Sequence, residues 1–266
     1  KGKVLYVWFD APIGYISNTM ELCQARGESP EQYSDWWKSD DCEIYHFIGE
    51  DNTIFHCVIW IAMLHAEGSF KLPDGVIVNQ FLNIQFPGQE EEKISKSRGT
   101  AIWIEDYLAS GQSRDVLRFY LTSIAPERAR TVYKPEDLIQ RNNSELANVL
   151  GNYVHRLVSF THKYVGPKIP DFPAHKVSDF DRAFEKRLHE THTELTQHLE
   201  NFAFKSGLET IMGFCRDANK YLDDKAPWST RKNDMETTCV TLAYGLRAVQ
   251  YLAVALAPYL PDTATK

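Results

Sequence analysis

The sequence predicts two folds in succession, an α/β parallel sheet followed by an all-α bundle. In the first part, short apolar and β-branched runs alternate with helical stretches, which is the rhythm of a doubly wound sheet. From about residue 136 the apolar residues recur at spacings of three and four, which is typical of amphipathic helices. With 266 residues, 43% of them hydrophobic, the chain is long enough for two domains.

Three short strands and two helices are predicted in the α/β part. The strands cover residues 4–9, 43–49 and 75–78, each apolar enough for a buried parallel strand. The helices are Ile16–Arg26 and Phe55–His65, the second apolar on most faces and therefore expected to be buried. Ligands of such sheets bind beyond the carboxyl ends of the strands. The polar segments Asp10–Pro12 and Gly49–Asp51 follow two of the predicted strands.

Four helices are predicted in the second part. The first is capped by Ser144, and the second begins at a capping box made by Ser178 and Asp181, with Asp in the place of the usual Glu or Gln. The third covers about Lys205–Leu222. The last, about Met235–Leu256, is apolar nearly all round in its second half, so we expect it at the centre of the bundle.

Composition narrows the class of protein. Five cysteines without a paired C-x-x-C spacing argue against a disulfide framework and against a zinc site in this segment, and they favour a reducing cytosol. No apolar run approaches the length of a membrane span, so we expect a soluble cytoplasmic protein with no membrane partner. The net charge of −7 argues weakly against a nucleic-acid partner, because an acidic protein can still carry a local basic face.

The string Lys93–Thr100 reads K-I-S-K-S-R-G-T. Lys93 and Lys96 are movable point charges that can neutralise phosphate oxygens, among them those of a departing pyrophosphate. A solvated charged loop is the alternative interpretation of such a string taken alone. The string resembles the KMSKS signature of class I aminoacyl-tRNA synthetases, with Ile94 in place of Met.

The string Tyr6–Tyr15 resembles the corresponding stretch of methionyl-tRNA synthetases. The resemblance implies that four of its residues line the methionine pocket: Trp8, Ala11, Pro12 and Tyr15. Aromatic walls suit this task, because a thioether makes favourable contacts of about 0.3 to 1.5 kcal/mol with a ring.

A second string, His46–Asp51 followed by Phe55 and His56, resembles the H-F-I-G-K-D…F-H string of the same family. The resemblance implies that Gly49 and Asp51 lie near the ribose of the adenylate and that Phe55 and His56 close the methionine pocket. A hydrogen-bonded core histidine is the alternative interpretation of His56. Glu50 stands where the family has Lys, so a phosphate contact is not carried over to this position.

Two matches in the helical part imply recognition of the anticodon. Asn152 and Arg156, four residues apart on one predicted helix face, match the family's anticodon-reading Asn-x-x-x-Arg. Trp228 lies in an A-P-W string whose tryptophan stacks on the anticodon in the family. An exposed amide beside a guanidinium can read base edges, and an exposed indole can stack on a base. A solvated helix flank is the alternative for the first pair.

The resemblance implies a three-part architecture. Residues 1–80 would be the C-terminal half of a Rossmann-type catalytic domain, 81–135 a connector with the KMSKS loop, and 136–266 an antiparallel helical anticodon-binding bundle. The implied partners are methionine, ATP with Mg²⁺, and the anticodon and acceptor end of a methionine tRNA.

Two features depart from the family's pattern. The acidic stretch Pro87–Glu92 precedes the lysine loop where a short turn is expected, and we expect it to repel phosphate or to alter how the loop closes. The family's H-I-G-H string and its cysteine-bearing insertion are not in the sequence. We therefore expect a piece of a longer methionine–tRNA ligase, inactive when isolated. The alternatives are another class I synthetase for an apolar amino acid and a non-catalytic tRNA-binding module.

Overall fold

The computed structural model describes residue 2 and residues 11–266. The chain divides into two compact units. Unit 1 contains the described residues up to Phe81 together with Pro126–Arg130, and unit 2 contains Leu82–Ala125 and Thr131–Lys266. The finer division into 1–80, 81–135 and 136–266 stays a prediction.

Unit 1 contains a parallel pair of strands with helices around it. β1 (Tyr45–Gly49) pairs with β2 (Gly75–Asn79) in parallel, with Tyr45 opposite Gly75 and Gly49 opposite Asn79. The helices are α1 (Ile13–Ala25), α2 (Ser34–Trp37) and α3 (Trp60–Glu67), with 3₁₀ turns at Pro30–Tyr33 and Glu50–Asn52. The parallel sheet confirms the predicted α/β class. The predicted strand 4–9, and Trp8 with it, lies outside the described residues.

The segment between the two strands is helical, as predicted, but it is not buried on most faces. It begins as one π-helical stretch, Phe55–Ile59, and continues into α3. Trp60 and Leu64 pack with Trp37 in the core of unit 1. Val58 is 60% exposed, so the prediction of general burial is wrong for this face. Apolar composition by itself does not predict how many faces of a helix are buried by packing against other elements.

Unit 2 begins with a small mixed sheet. β3 (Leu82–Ile84) pairs antiparallel with β4 (Glu92–Lys93) and parallel with β5 (Thr131–Tyr133). The acidic stretch before the lysine loop is therefore the turn of a β-hairpin. Gly88 has a φ of +73° there, and the amide of Gln89 donates to the carbonyl of Phe86.

The rest of unit 2 is helical. Its helices are α4 (Ile104–Ala109), α5 (Arg114–Ser123), α6 (Pro135–Arg141), α7 (Asn152–Tyr164), α8 (Asp179–Glu200), α9 (Phe204–Lys225), α10 (Pro227–Thr230), α11 (Met235–Leu256) and α12 (Pro261–Ala264), with a 3₁₀ turn at Ala174–Lys176. The capping box at the start of α8 is confirmed, because the Asp181 amide donates to the Ser178 hydroxyl while the Ser178 amide donates to the Asp181 carboxylate.

The predicted helix start at Ser144 is wrong. The helix begins at Pro135, which follows the extended residue Lys134, and it continues through a π-helical stretch, Asn142–Gly151, into α7. The run of polar residues favours a cap locally, but Leu146, Val149 and Leu150 pack against the core on the following turns. Burial of this face keeps the backbone helical where the local sequence favours a break.

Helix α11 lies at the centre of the bundle, as predicted. Val240, Leu242 and Ala248 are buried in one cluster with residues of α7, α8 and α9. α11 is also long and apolar enough to cross a membrane by length and composition, so the statement that no run approaches that length is wrong. Core helices pass the same test, and 56% of its apolar window is buried within the protein.

Candidate functional sites

Tyr15 and His56 form the hydrogen-bonded centre of the predicted methionine site. The Tyr15 hydroxyl lies 2.9 Å from Nε2 of His56, and Nδ1 of His56 lies 3.0 Å from the carbonyl oxygen of Asn52. A carbonyl only accepts, so Nδ1 carries the proton and Nε2 accepts from Tyr15. His56 is thus fixed as one tautomer. It is buried, whereas Tyr15 is 40% exposed and presents its ring at the surface of unit 1.

His46 completes an aromatic cluster with these two residues. Its ring centroid lies 5.2 Å from that of Tyr15 and 5.4 Å from that of His56. His46 is buried, and its Nε2 has no hydrogen-bond partner. Burial, and secondly the neighbouring His56, lowers the pKa of His46 below its ordinary value of 6.5. The imidazole is therefore neutral at neutral pH, which suits an apolar ligand.

The prediction of site residues missed His46. A signal was present in the sequence, because His46 alternates with Ile48 on the inward face of β1. A polar ring on the buried face of a strand indicates either a partner or a cavity.

The other residues of the predicted methionine site are placed nearby in the chain. Pro12 is buried and immediately precedes α1, the helix that carries Tyr15, while Ala11 is exposed. Phe55 is the first residue of the π-helical stretch that carries His56. The structure therefore brings Tyr15 and His56 together.

Gly49 and Asp51, the residues predicted at the ribose, lie at the carboxyl end of β1. Gly49 is the last residue of the strand, and a Cβ built there would lie 2.8 Å from Oδ1 of Asp51. A side chain at position 49 would therefore force the Asp51 carboxylate to move. Asp51 is exposed. This is the edge of the sheet where α/β proteins bind ligands.

Glu50, between them, is held by Arg130. The guanidinium donates from Nη2 and Nε to Oε1 of Glu50 at 2.6 and 3.1 Å. Arg130 also lies over the ring of Phe81, 5.5 Å from its centroid. Glu50 departs from the family's string, but its partner cannot be predicted from neighbouring residues because it lies 80 residues away in the chain.

The lysine loop in unit 2 is closed by its own backbone. The Thr100 amide donates to the Ser95 carbonyl at 3.1 Å, and the Ser95 amide donates to the Thr100 hydroxyl at 2.9 Å. Gly99 has a φ of +72°, a conformation that glycine adopts at little cost. These bonds form a compact turn and leave Lys93 and Lys96 exposed.

The ammonium of Lys96 lies 5.2 Å from the ring centroid of Trp103. The hairpin turn beside the loop is partly neutralised, because the Asn83 amide donates to Glu91 at 2.6 Å and Arg98 lies 3.9 Å from Glu92. Whether this acidic turn affects phosphate binding stays a prediction.

The predicted anticodon residues Arg156 and Trp228 lie together. The guanidinium carbon of Arg156 is 5.2 Å from the ring centroid of Trp228, although 72 positions separate the two residues. Nη2 of Arg156 donates to Asp223 at 2.6 Å, so the side chain is half-buried rather than fully solvated. Asn152 is exposed one helical turn before Arg156.

The backbone presents Trp228 outward. Ala226 ends α9 with a φ of +42°, an uncommon value for a residue other than glycine, and Pro227 then starts α10. The indole is 38% exposed. An indole beside a guanidinium, open to solvent, can stack on a nucleobase.

Within the part of the chain that the structure describes, no group of three or more His, Cys, Asp or Glu side chains could hold a metal ion. The five cysteines are free thiols. Burial raises the pKa of the Cys215 thiol to about 12, so this thiol stays protonated in the bundle core.

Two family models match the chain. One, described as tRNA synthetases class I (M), matches residues 1–158. The other, described as the anticodon binding domain of methionyl tRNA ligase, matches residues 172–266.

Curated proteins and solved structures give the same likeness. The chain is 43% identical to methionine–tRNA ligases of Porphyromonas gingivalis and Bacteroides fragilis over its whole length, and it spans 37% of each. It is similar to the Mycobacterium tuberculosis methionyl-tRNA synthetase bound by methionyl-adenylate, with a TM-score of 0.75 and 28% identity, over 84% of this chain and 43% of that one. The apo form of that enzyme gives a TM-score of 0.77 and 25% identity, over 98% and 48%.

Proposed function

The chain belongs to the class I tRNA synthetases of the methionine type, and from this premise we propose that the protein containing it joins methionine to its tRNA. The reaction has two steps. Methionine and ATP form methionyl-adenylate and pyrophosphate, and the methionyl group then passes to the terminal ribose of the tRNA. We place this activity in the cytoplasm, with MgATP as substrate, no zinc site in this segment and no membrane partner.

The Tyr15–His46–His56 cluster supports selection of methionine. With its proton donated to His56, the Tyr15 hydroxyl keeps a fixed direction. Neutral, polarizable rings make favourable contacts with a thioether, and a charged imidazole would first have to be desolvated. Trp8, Ala11, Pro12 and Phe55 are proposed as further walls of this pocket.

Gly49, Asp51 and the two loop lysines are proposed to act on ATP. Gly49 and Asp51 would position the ribose, and Lys96, with Lys93 in second place, would stabilise the negative charge on the departing pyrophosphate. To reach a phosphate, Lys96 must leave the Trp103 ring. A cation–π contact at an exposed site is worth about 0.5 to 1 kcal/mol, so this contact is a weak restraint.

The observation that carries the proposal is the meeting of Arg156 and Trp228. A guanidinium, an exposed indole and, one turn away, the amide of Asn152 provide hydrogen-bond donors, an acceptor and a stacking surface for unpaired bases. These are the chemical requirements for reading single-stranded RNA in an anticodon loop.

The test is binding of two RNA stem-loops to the 266-residue chain at one low salt concentration. One stem-loop carries the methionine anticodon and the other an altered anticodon. We expect the methionine stem-loop to bind more tightly and Trp228→Ala to abolish the difference. The matched control is Trp36→Ala, an exposed tryptophan of α2 in unit 1, which should leave the difference unchanged. Equal binding of both loops by the unaltered chain would refute the anticodon assignment.

A further inference from the structure

A second guanidinium–ring pair lies beside the first one. The guanidinium carbon of Arg231 is 4.2 Å from the ring centroid of Tyr164, a shorter distance than the 5.2 Å of the Arg156–Trp228 pair. In the first pair α7 supplies the cation and α10 the ring. In the second pair α7 supplies the ring, and the residue that ends α10 supplies the cation.

The two pairs belong to one continuous surface. Arg156, Phe160 and Tyr164 follow one another at intervals of four residues on α7, and therefore share a face that extends about 12 Å along the helix axis. The rings of Phe160 and Tyr164 contact at 4.6 Å between centroids. Phe160 also lines an apolar cavity of about 150 Å³ together with Arg156 and Trp228. A single-stranded RNA segment that stacks on Trp228 can therefore continue along this surface toward Tyr164.

The charge on Arg231 is not neutralised in the way that the charge on Arg156 is. Arg156 donates to Asp223. Arg231 forms no salt bridge with any carboxylate in the described ranges, and its buried Nε has no hydrogen-bond partner. Lys163, 5.1 Å from the same tyrosine ring, adds a second positive charge. An unpaired guanidinium over a ring is suited to a phosphate oxygen, because its donors form a planar fork.

We propose that Tyr164 and Arg231 form a second nucleotide-binding position for the anticodon arm, next to the position formed by Asn152, Arg156 and Trp228. The inference rests on the proposed function, since it assumes that the same RNA lies on this face. The tyrosine ring stacks on a base, and Arg231 contacts a backbone phosphate. Both interactions are independent of base identity, so the position strengthens binding without reading the anticodon.

The experiment compares variants in binding to both stem-loops, at about 50 mM and about 200 mM salt. We expect Arg231→Ala to lower the affinity for both stem-loops about three- to tenfold. It should also reduce the slope of log affinity against log salt by about 0.7 to 1, the value for one lost phosphate contact. Arg231→Lys should restore the slope. Tyr164→Leu should lower the affinity for both stem-loops about fivefold or more, whereas Tyr164→Phe should leave the affinity unchanged.

The matched control is Arg247→Ala. Arg247 also lies over a tyrosine, 5.6 Å from the Tyr244 ring, but it is paired with Glu185 at 2.9 Å on a different part of the bundle. Its loss should leave affinity and salt slope unchanged. Unfolding midpoints of all variants separate binding from stability, and the Arg231→Lys and Tyr164→Phe variants preserve the pair if the truncations do not fold.

The outcomes distinguish failure of this inference from failure of the proposed function. If Trp228→Ala abolishes anticodon discrimination while the Arg231 and Tyr164 variants bind like the unaltered chain, the pair only fastens α7 to α10 and this inference is wrong by itself. If the unaltered chain binds neither loop, the proposed function fails and this inference with it. If it binds both loops alike, the anticodon assignment fails, and the Arg231 and Tyr164 variants still decide this inference, because neither contact depends on base identity.

Discussion

The hydroxyl of Tyr15 and Nε2 of His56 lie 2.9 Å apart, although 41 positions separate the two residues. Because Nδ1 of His56 faces the Asn52 carbonyl, the tyrosine is the donor in this bond and the histidine has one defined tautomer. The pair therefore presents a polar group of fixed orientation beside the ring of His46 at the site proposed for methionine.

Tyr15→Phe should weaken methionine binding while leaving ATP binding unchanged. The substitution keeps the ring but removes the hydroxyl, so His56 Nε2 becomes a buried acceptor without a partner, at a cost of about 1 to 3 kcal/mol. Because His56 then loses the contact that fixes its orientation at the site, we expect KM for methionine in ATP–pyrophosphate exchange by the full-length protein to rise about tenfold, equivalent to about 1.4 kcal/mol. Tyr45→Phe, on the exposed face of β1, is the control. An equal rise in both Michaelis constants would count against a local role for Tyr15.

The titration of His46 should make unit 1 less stable in acid. Burial and the nearby His56 lower the pKa of His46 in the folded protein. Below its ordinary value of 6.5, the unfolded chain binds a proton that the folded protein does not, so stability falls as the pH falls from 6.5 toward the folded pKa. Above 6.5 the group contributes no pH dependence.

The measurement is the free energy of unfolding between pH 5 and pH 8 for the unaltered chain and for His46→Phe. The variant should lose part of the decline on the acid side. His65→Gln, an exposed histidine at the end of α3, serves as the control. Superimposable pH profiles for the unaltered chain and His46→Phe would show that His46 does not titrate in this way.

Lys96→Ala should strongly lower the activity of the full-length protein, whereas Trp103→Phe should leave it unchanged. Removing one preorganised donor to a transition-state charge typically costs about 10² to 10³ in rate. Phe retains an aromatic face, so the resting contact with the Lys96 ammonium persists. The readout is kcat for ATP–pyrophosphate exchange in the full-length protein, with the exposed Lys168→Ala as control. A Lys96→Ala enzyme within threefold of the unaltered one would exclude the proposed role.

The Glu50–Arg130 pair should tolerate an exchange of charges. Glu50→Lys places two cations at the carboxyl end of β1 and should destabilise unit 1, while adding Arg130→Glu should restore most of the loss. Because Arg130 is 61% exposed, we expect a coupling energy of only about 0.5 to 1 kcal/mol in a double-mutant cycle from urea unfolding. Additive single effects would mean that the two side chains do not interact in solution.

Lys225→Met should destabilise the bundle more than any surface substitution. Asp181 is 0% exposed and lies 2.8 Å from the ammonium of Lys225. Burial by itself would raise the pKa of Asp181, but hydrogen bonds from Lys225, Ser178 and Tyr221 outweigh it and hold the pKa below 3.8. Removing the lysine leaves a buried carboxylate unpaired, at a cost of about 3 to 5 kcal/mol.

The measurement is urea unfolding at neutral pH and at about pH 3. The stability that the lowered pKa contributes is present above 3.8, the ordinary pKa of the carboxyl, and is lost as the pH falls through the folded value. The loss of unfolding free energy caused by Lys225→Met should therefore be smaller at about pH 3 than at neutral pH. Lys186→Met, an exposed lysine of α8 paired with Glu190, is the control and should change little. A penalty that is the same at both pH values would contradict this account.

Local patterns in the sequence determined the family and the class of the elements that were predicted in unit 1 and in the bundle. Short apolar runs predicted the two parallel strands that the structure describes in unit 1, and a long stretch that is apolar on most faces predicted the central helix α11, because buried elements carry apolar residues on most sides. The capping box at Ser178 was readable because both of its residues lie within one helical turn. The methionine-type strings could likewise be read from neighbouring residues alone.

Only the tertiary structure decided which distant side chains meet. It placed His46 against Tyr15, Arg130 against Glu50 and Lys225 against Asp181, and it continued a helix through Ser144 where the local sequence favours a cap. The reason is that a sequence pattern states which face of an element is buried, whereas contact between two elements depends on the packing of the whole core. The pairing of Tyr164 with Arg231 belongs to this second kind of information.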